Sequence, residues 1–224
     1  AMRVNIYHIN ESRDKNHKHY SIYQNGDVVD PSIYDEVFSA ELDTSNLEEI
    51  HRMMKFEGHP LMRGANVTVS DVVVVNGRAH ICQPRGFEEI PFDESKTQKP
   101  DNLMRVVYVE PNKPAYVTDV EHTLDAEQKA VGGGLIQPLY IEDDGTVIIS
   151  NEESKLKGMP GNRRFGDGTS IIAGPFFVCG VTGDDFRSLT DEEVEKYMDK
   201  FSVPDQISQD EVEADMRFGF LPMM

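Results

Sequence analysis

The sequence contains no long apolar run. The longest is VVVV at 72–75, whereas a membrane-spanning helix needs roughly 18 to 20 consecutive apolar residues. There is also no basic segment followed by an apolar one, as in an export signal. We therefore expect a cytoplasmic protein that does not contact a membrane.

Cysteine is scarce and tryptophan is absent. The chain has only 2 cysteines, Cys82 and Cys179, which are far apart in the sequence. Disulfides persist mainly in exported proteins. We therefore predict that both are reduced thiols in apolar strands.

No set of metal ligands with a recognisable spacing occurs. His17 and His19 lie beside lysines, whose charge would repel a cation. His80 and Cys82 share one face of a predicted strand and could bind a metal together, but two further ligands would have to converge there. Asp71 would be a diagonal neighbour of His80 and a hydrogen-bond partner for it. We predict no metal site and no cofactor.

Known catalytic motifs are also absent. The sequence has no GxSxG, HExxH, GxxxxGK[ST] or strand-linked GxGxxG pattern. The glycines at 132–134 follow a predicted helix, whereas glycines that bind phosphate lead into a helix N-terminus, so we expect them to end that helix. No catalytic residue is assigned. A non-enzymatic role is favoured, and enzymatic activity stays open.

Basic residues are outnumbered throughout the chain. The sequence has 22 Lys and Arg against 40 Asp and Glu, a formal net charge of −18 at pH 7. Such a surface repels phosphate backbones, so we expect no direct binding of nucleic acid. We expect instead a protein partner that is basic or that normally binds nucleic acid. The oligomeric state is not predicted.

One segment has the composition of a linker. DESKTQKPDN at 93–102 has no apolar residue and ends in Pro, Asp and Asn. This divides the chain into an α+β domain at 2–93, a linker at 94–103, a second α+β domain at 104–201, and an acidic helix with an apolar tail at 202–224.

Hydrophobic alternation and turn residues predict the strands of the first domain. VNIYHI at 4–9 is a predicted opening strand. The pair Asn76-Gly77 lies between two apolar runs and predicts a hairpin, because both residues tolerate positive φ. In that hairpin Val73 faces His80.

Two helix starts within the two domains carry a capping-box pattern. Ser45 with Glu48 predicts a helix that Gly58 ends, and Thr190 with Glu193 predicts a later one. Capping boxes satisfy the free backbone N–H groups of the first helical turn.

The second domain is predicted to alternate hairpins and helices. Strands are expected at 104–110 and 170–180, and the central Gly-Pro of the second indicates an edge strand or a bulge. A helix is expected from about 123, and a hairpin at 135–150 around the turn EDDG. Because strands and helices do not alternate as βα units, the prediction is α+β, with two small domains that are each a mainly antiparallel sheet with one or two helices.

The C-terminal segment combines an acidic helix with an apolar end. Ser208 and Glu211 form a predicted capping box, and the chain closes with FGFLPMM. This tail can dock on its own protein or bind a partner, in which case Phe218, Phe220 and Leu221 would make the contact.

Residues 151–168, NEESKLKGMPGNRRFGDG, form the most polar non-repeating segment, which we call the polar loop. It carries amides, carboxylates and cations that could converge on a ligand or partner: Asn151, Glu152, Glu153, Lys155, Asn162, Arg163, Arg164 and Asp167. In one interpretation Arg163 and Arg164 hold a phosphate or carboxylate, and Glu152 or Glu153 is a general base. In the other, the acids and arginines pair with one another and the loop is structural.

Two family resemblances cover most of the chain. YHINESRD, GHPLMRGANVTVSDVVVV and RGFEEI, within residues 4–93, resemble YodL-like domains, although Ala65-Asn66 replaces the His-Ser usual in that family. GGGLIQP, NEESKLKGMPGNRR, IIAGPFFVCG and LTDEEVEKY, within residues 104–200, resemble a family catalogued as a domain of unknown function.

The resemblance implies a cellular setting but no reaction. Both families occur in accessory genes of conjugative elements and phages, often near anti-restriction modules. The resemblance therefore implies an accessory protein of a mobile genetic element, acting as an acidic protein-interaction module that counters host defence. The alternative function is binding of an anion or nucleotide at the polar loop.

Overall fold

The computed structural model describes residues 1–219. The chain forms two compact units that divide between Asp101 and Asn102, inside the segment predicted as a linker. Each unit is a mainly antiparallel sheet with helices, which confirms the predicted α+β class. No helix within residues 1–219 is both long and apolar enough to cross a membrane.

The first unit is built on a five-stranded sheet of order β2-β1-β3-β4-β5, in which all neighbouring strands are antiparallel. Its elements are β1 (Met2–Ile9), β2 (Tyr34–Leu42), α1 (Leu47–Phe56), β3 (Val72–Val75), β4 (Arg78–Cys82) and β5 (Phe87–Ile90).

The β3–β4 hairpin has the predicted register. Val73 pairs with His80, and Asn76 and Gly77 adopt φ of 49° and 79°, as a tight turn between twisted strands requires. The hydrogen bond predicted between His80 and Asp71 is wrong, because the Asp71 carboxylate accepts from the N–H of Thr68 in the preceding loop.

The N-cap of helix α1 is Asn46, one residue after the predicted cap Ser45. The Asn46 side-chain oxygen accepts hydrogen bonds from the N–H groups of Glu48 and Glu49, at 3.0 and 3.2 Å. The capping box predicted from Ser45 is therefore wrong. Asparagine is as good an N-cap as serine, so the pattern alone could not choose between the neighbours.

The polar segment after β5 packs on the first unit. The Glu94 carboxylate accepts from the Asn5 side chain at 2.8 Å and from the Tyr7 hydroxyl at 2.6 Å. The N–H of Gln98 donates to the Tyr34 carbonyl at 3.0 Å. These residues have the composition of a linker, but they are held to the sheet by polar contacts.

The second unit contains a six-stranded sheet and a two-stranded ribbon. The sheet order is β7-β6-β12-β9-β8 with β13 paired to β12, and β10 with β11 form the ribbon. The elements are β6 (Leu103–Val109), β7 (Tyr116–Glu121), α2 (Leu124–Ala130), β8 (Ile136–Leu139), β9 (Thr146–Asn151), β10 (Gly161–Phe165), β11 (Ser170–Ala173), β12 (Phe176–Thr182), β13 (Asp185–Arg187), α3 (Asp191–Lys200) and α4 (Gln209–Gly219).

The single strand predicted at 170–180 is wrong. It is divided at Gly174-Pro175, where β11 ends and β12 begins in a different sheet. Gly174 has φ of 73°, and Pro175 has no N–H to donate, so the ladder is interrupted there.

The helices of the second unit follow their sequence signals. The Thr190–Glu193 capping box of α3 is present, and α3 packs Val194 and Tyr197 on a core cluster that includes Phe176. Helix α2 ends at Ala130, before the three glycines at 132–134, which all have positive φ. Their predicted role as a helix stop is confirmed.

Both cysteines are free and buried, on β4 and β12. Burial raises the pKa of the Cys82 thiol to about 11 and that of the Cys179 thiol to about 12. Buried thiols with such pKa values are protonated and unreactive near neutral pH.

Candidate functional site

The polar loop begins inside the second sheet and ends in the ribbon. Asn151 is the last residue of β9, and Gly161–Phe165 forms β10. The structure separates the predicted site residues into two groups. Asn151, Asn162 and Arg163 are buried, whereas Glu152 is exposed and Glu153, Lys155 and Arg164 are partly exposed.

Asn151 ties the loop to the three glycines. Its side-chain N–H₂ donates to the carbonyls of Val131 and Gly133, at 3.1 and 2.5 Å, and its oxygen accepts from the N–H of Glu153 at 2.9 Å. Asn151 is 2% exposed. Its hydrogen-bonding groups are therefore used inside the chain.

Asn162 is fully buried in β10. Its N–H₂ donates to the Val109 and Gly174 carbonyls at 2.9 and 2.8 Å. The Gly174 carbonyl lies at the break between β11 and β12, where the sheet ladder is interrupted. An amide side chain therefore replaces backbone partners that the interrupted ladder lacks.

Arg163 is also inside the unit, at 2% exposure. Its guanidinium donates to the carbonyls of Asn162 at 3.1 Å, Lys113 at 2.6 Å and Phe201 at 3.0 Å. Burial lowers the pKa of this guanidinium, and Asp205 opposes that shift. Arg163 thus links β10, the β6–β7 turn and the end of α3.

The partly exposed side chains of the loop form ion pairs, but not the predicted ones. Glu153 pairs with Lys157 at 2.9 Å, Arg164 pairs with Glu211 of α4 at 2.7 Å, and Lys155 pairs with Asp215 of α4. The predicted pairing of loop arginines with loop glutamates is therefore wrong, because α4 supplies the carboxylates.

Asp167 shapes the turn between β10 and β11. Its carboxylate accepts from the Thr169 hydroxyl at 2.5 Å and from the Thr169 N–H at 3.0 Å. These hydrogen bonds lower the pKa of Asp167. Such a local bond from an aspartate two residues back is typical of an Asx turn.

The candidate tail residues lie at and beyond the end of the described chain. Phe218 on α4 is 73% exposed. Phe220 and Leu221 lie outside the described residues.

Helix α3 presents a row of acidic side chains. Its two lysines turn towards the β8–β9 turn, where Lys196 pairs with Asp144 at 2.8 Å and Lys200 with Glu142 at 2.6 Å. The exposed acids of the next row are spaced three and four residues apart and form no ion pair within residues 1–219: Glu192, Glu195 and Asp199. We call these three residues the acidic row.

In the first unit, a partly buried histidine faces a buried carboxylate. His8 Nε2 lies 3.4 Å from Asp71 Oδ2, and the Asp71 carboxylate accepts from the Thr68 N–H at 2.7 Å. Burial raises the pKa of Asp71 to about 7. Burial and the nearby His19 lower the pKa of His8 to about 4.

Sequence reasoning missed this pair. Tyr7 pairs with Val72 across β1 and β3, which brings the next residues, His8 and Asp71, to the same face. The only signal would have been the pairing of two strands more than 60 residues apart, which local patterns do not contain.

The first unit also has a cleft of about 510 Å³ beside the long loop after β1. Its inner wall includes the buried side chains of Tyr34, Ser70 and Ile81. The volume is within the range of small-molecule sites, roughly 300 to 1,000 Å³. Within residues 1–219, no group of three or more His, Cys, Asp or Glu side chains could hold a metal ion.

Comparisons with known proteins agree with the division into two units. Residues 3–92 match the model of the YodL-like domain, and residues 104–202 match the domain of unknown function DUF3846. No curated protein and no solved structure was found that matches the chain. The chain therefore carries a YodL-like domain followed by a DUF3846 domain.

Proposed function

We propose that this protein is a non-enzymatic interaction module that binds a basic protein partner through the acidic row of α3. The observation that carries the proposal is that several cations of the second unit are already paired within residues 1–219, whereas the acids of the row are not. Lys155, Arg164, Lys196 and Lys200 all pair with carboxylates of the same chain, whereas Glu192, Glu195 and Asp199 are left without an ion pair in residues 1–219.

The geometry of the row supports recognition of a protein surface. Three carboxylates at helical spacing form a stripe on a rigid helix, whose other face is packed on the core through Val194 and Tyr197. A rigid stripe of one sign raises the rate of association with a surface of the opposite sign and favours basic partners over acidic ones.

The family setting narrows the partner class. The families that this chain resembles occur in accessory genes of conjugative elements and phages, often near anti-restriction modules. We therefore propose a host defence protein with a basic surface as the partner. The alternative, an anion or nucleotide held by the polar loop, gains no support from Asn151, Asn162 and Arg163, because these side chains are buried and hydrogen-bonded within the chain.

The test compares two triple variants of equal charge. One replaces the acidic row by Glu192→Gln, Glu195→Gln and Asp199→Asn. The control replaces three exposed acids elsewhere by Glu57→Gln, Asp101→Asn and Asp184→Asn. Immobilised wild type captures partners from bacterial lysate at low salt, and the binding of each purified partner to all three proteins is then measured.

The row variant is expected to bind at least about tenfold more weakly at low salt, with a difference that shrinks at high ionic strength. The control is expected to bind like the wild type. Equal affinity of the two variants, or no partner captured at low salt, would contradict the proposal.

A further inference from the structure

Helix α4 is held on the ribbon by one small apolar contact. Val212 is 1% exposed and forms a cluster with Ile171 and Ala173 of β11, flanked by Met159 and Ile207. This cluster is separate from the main core of the second unit. Among the α4 side chains that the structure describes, Val212 is the only buried one.

The segment that carries α4 also accepts hydrogen bonds from backbone N–H groups at the edges of the ribbon. Arg164 and Ile171 pair across β10 and β11. The N–H of Arg164 donates to the Asp205 carboxylate at 2.8 Å, and the N–H of Ile171 donates to the Asp215 carboxylate at 3.3 Å. A two-stranded ribbon exposes such N–H groups on both edges, so two carboxylates supply the acceptors that a further strand would give.

Charge complementarity extends to the side chains. Lys155 pairs with Asp215, and Arg164 pairs with Glu211 at 2.7 Å. Glu211, Val212 and Asp215 therefore form one helix face with the pattern acid–apolar–x–x–acid. Two cations, Lys155 before the ribbon and Arg164 in β10, contact this face together with the apolar cluster.

The ribbon packs closely against Ile207, just before α4, at Gly161. A Cβ atom at Gly161 would lie 2.5 Å from Ile207 Cγ2 and 2.8 Å from Ile207 Cβ. Glycine at this position therefore leaves the room that Ile207 occupies. We call the surface formed by Lys155, Gly161, Arg164 and Ile171 the helix groove.

The contacts of α4 are few for a helix of 11 residues. One buried apolar side chain, two ion pairs that salt can screen and one hydrogen bond from the Ile171 N–H to Asp215 oppose the conformational entropy of α4. Segments with few buried apolar contacts open locally before the rest of a domain unfolds. In addition, the DUF3846 match covers the helix groove but ends at residue 202, before α4.

We propose that the helix groove is a binding site for acidic amphipathic helices, which α4 occupies in cis and which a partner helix with the pattern acid–apolar–x–x–acid takes by displacing α4. The inference goes beyond the proposed function, because the partner of the acidic row is basic and this one is acidic. An α4 that occupies its own groove lowers the apparent affinity of the competing helix.

The test uses a labelled peptide of residues 204–219 and the full chain. In the full-chain variant Val212→Asp, a carboxylate replaces the buried valine, so α4 leaves the groove. The peptide is expected to bind this variant at least about tenfold more tightly than the wild type, because the groove is then free. Fluorescence anisotropy measures both affinities.

Matched peptides identify the contact. A peptide with Glu211→Gln and Asp215→Asn is expected to lose most of its affinity, whereas a peptide with Glu213→Gln, changed at an exposed position, is expected to bind normally. The inference is overturned if the opened variant and the wild type bind the peptide equally, or if neither binds it.

A second measurement needs no variant. In native-state hydrogen exchange of the wild type, the N–H groups of Arg164 and Ile171 are expected to exchange at least about tenfold faster than that of Val178 in the central strand β12. Release of the segment that carries α4, with Asp205 and Asp215, exposes both amides. Equal protection of these three amides would show that α4 does not leave the groove, which also overturns the inference.

Discussion

The two units share a similar plan, an antiparallel sheet with packed helices, but one polar cluster in each unit behaves differently towards pH. In the first unit, the partly buried His8 and the buried Asp71 lie together and both have shifted pKa values. In the second, the polar loop buries Asn162 and Arg163, an amide that cannot titrate and a guanidinium that stays charged at all biological pH values. A polar interior can therefore respond to pH or ignore it, depending on the residue types that the sheet encloses.

Surface charge differs as well. Residues 1–101 contain 17 acidic and 11 basic residues, a formal charge of −6, whereas residues 102–224 contain 23 acidic and 11 basic residues, a charge of −12. Both units thus have the same number of cations, and the second has the larger acidic excess. This excess is consistent with an interaction surface on the second unit.

The largest expected effect concerns the permanent charge inside the second unit. Replacing Arg163 by Met keeps the apolar volume but removes the guanidinium donor from the Asn162 and Lys113 carbonyls, and it leaves the Phe201 carbonyl with only the Ala115 N–H. We expect the second unit to lose about 4 kcal/mol, since each unsatisfied buried group costs roughly 1 to 3 kcal/mol. Urea denaturation, read unit by unit with hydrogen-exchange mass spectrometry, measures the loss.

The neighbouring arginine is the control. Arg164→Met removes a partly exposed ion pair with Glu211 and is expected to cost no more than about 1 kcal/mol. Similar losses for both variants would mean that burial of Arg163 does not distinguish it from a surface cation.

The second prediction concerns the titrating pair of the first unit. His8 has its pKa lowered from 6.5 to about 4, so the folded chain binds fewer protons than the unfolded chain in this interval, and stability rises with pH there. Asp71 has its pKa raised from 3.8 to about 7, so its contribution falls as pH rises through that interval. In the wild type the two contributions oppose each other.

Replacing Asp71 by Asn leaves the contribution of His8 unopposed. The stability of the first unit is then expected to rise by about 3 kcal/mol between pH 4 and pH 6.5 relative to the wild type. The variant His8→Gln is expected to show the reverse slope. Urea midpoints over a pH series measure both slopes. Parallel curves for wild type and Asp71→Asn would show that Asp71 does not oppose the contribution of His8.

The smallest expected effect compares one helix start in each unit. Asn46→Ala in α1 and Thr190→Ala in α3 each remove an observed N-cap and are expected to cost about 1 kcal/mol. Ser45→Ala, at the cap predicted from sequence, is expected to be nearly neutral. Thermal unfolding of the three variants checks this order, and a larger loss at Ser45 than at Asn46 would contradict the cap observed for α1.

Local signals in the sequence correctly predicted a turn, a cap and a helix end that depend on neighbouring residues. The Asn76-Gly77 hairpin, the Thr190–Glu193 capping box and the glycines that end α2 all rest on backbone preferences within a few residues. The class of each unit followed from the order of such elements. The break at Gly174 was visible in the sequence as Gly-Pro, but not the change of sheet that it causes.

Long-range placement could not be predicted in this way. Polar residues are mostly exposed, and the sequence pattern placed Asn162 and Arg163 only in a polar loop. The interrupted ladder at Gly174 and the end of α3 instead use these side chains as donors inside the unit. The carboxylates that pair with Lys155 and Arg164 come from α4, about 50 to 60 residues along the chain. Pairing of distant segments depends on topology, which no local pattern specifies.

The close contact of Gly134 with the polar loop has a consequence for protein engineering. A Cβ atom at Gly134 would lie 2.6 Å from Lys157 Nζ and 2.8 Å from Glu153 Oε2, so a side chain there would displace the ion pair of the loop. The GGGLIQP and NEESK segments are therefore one structural module. A transplant of the polar loop onto another scaffold has to carry these glycines with it, because Gly134 has φ of 103°, which residues with a side chain rarely adopt.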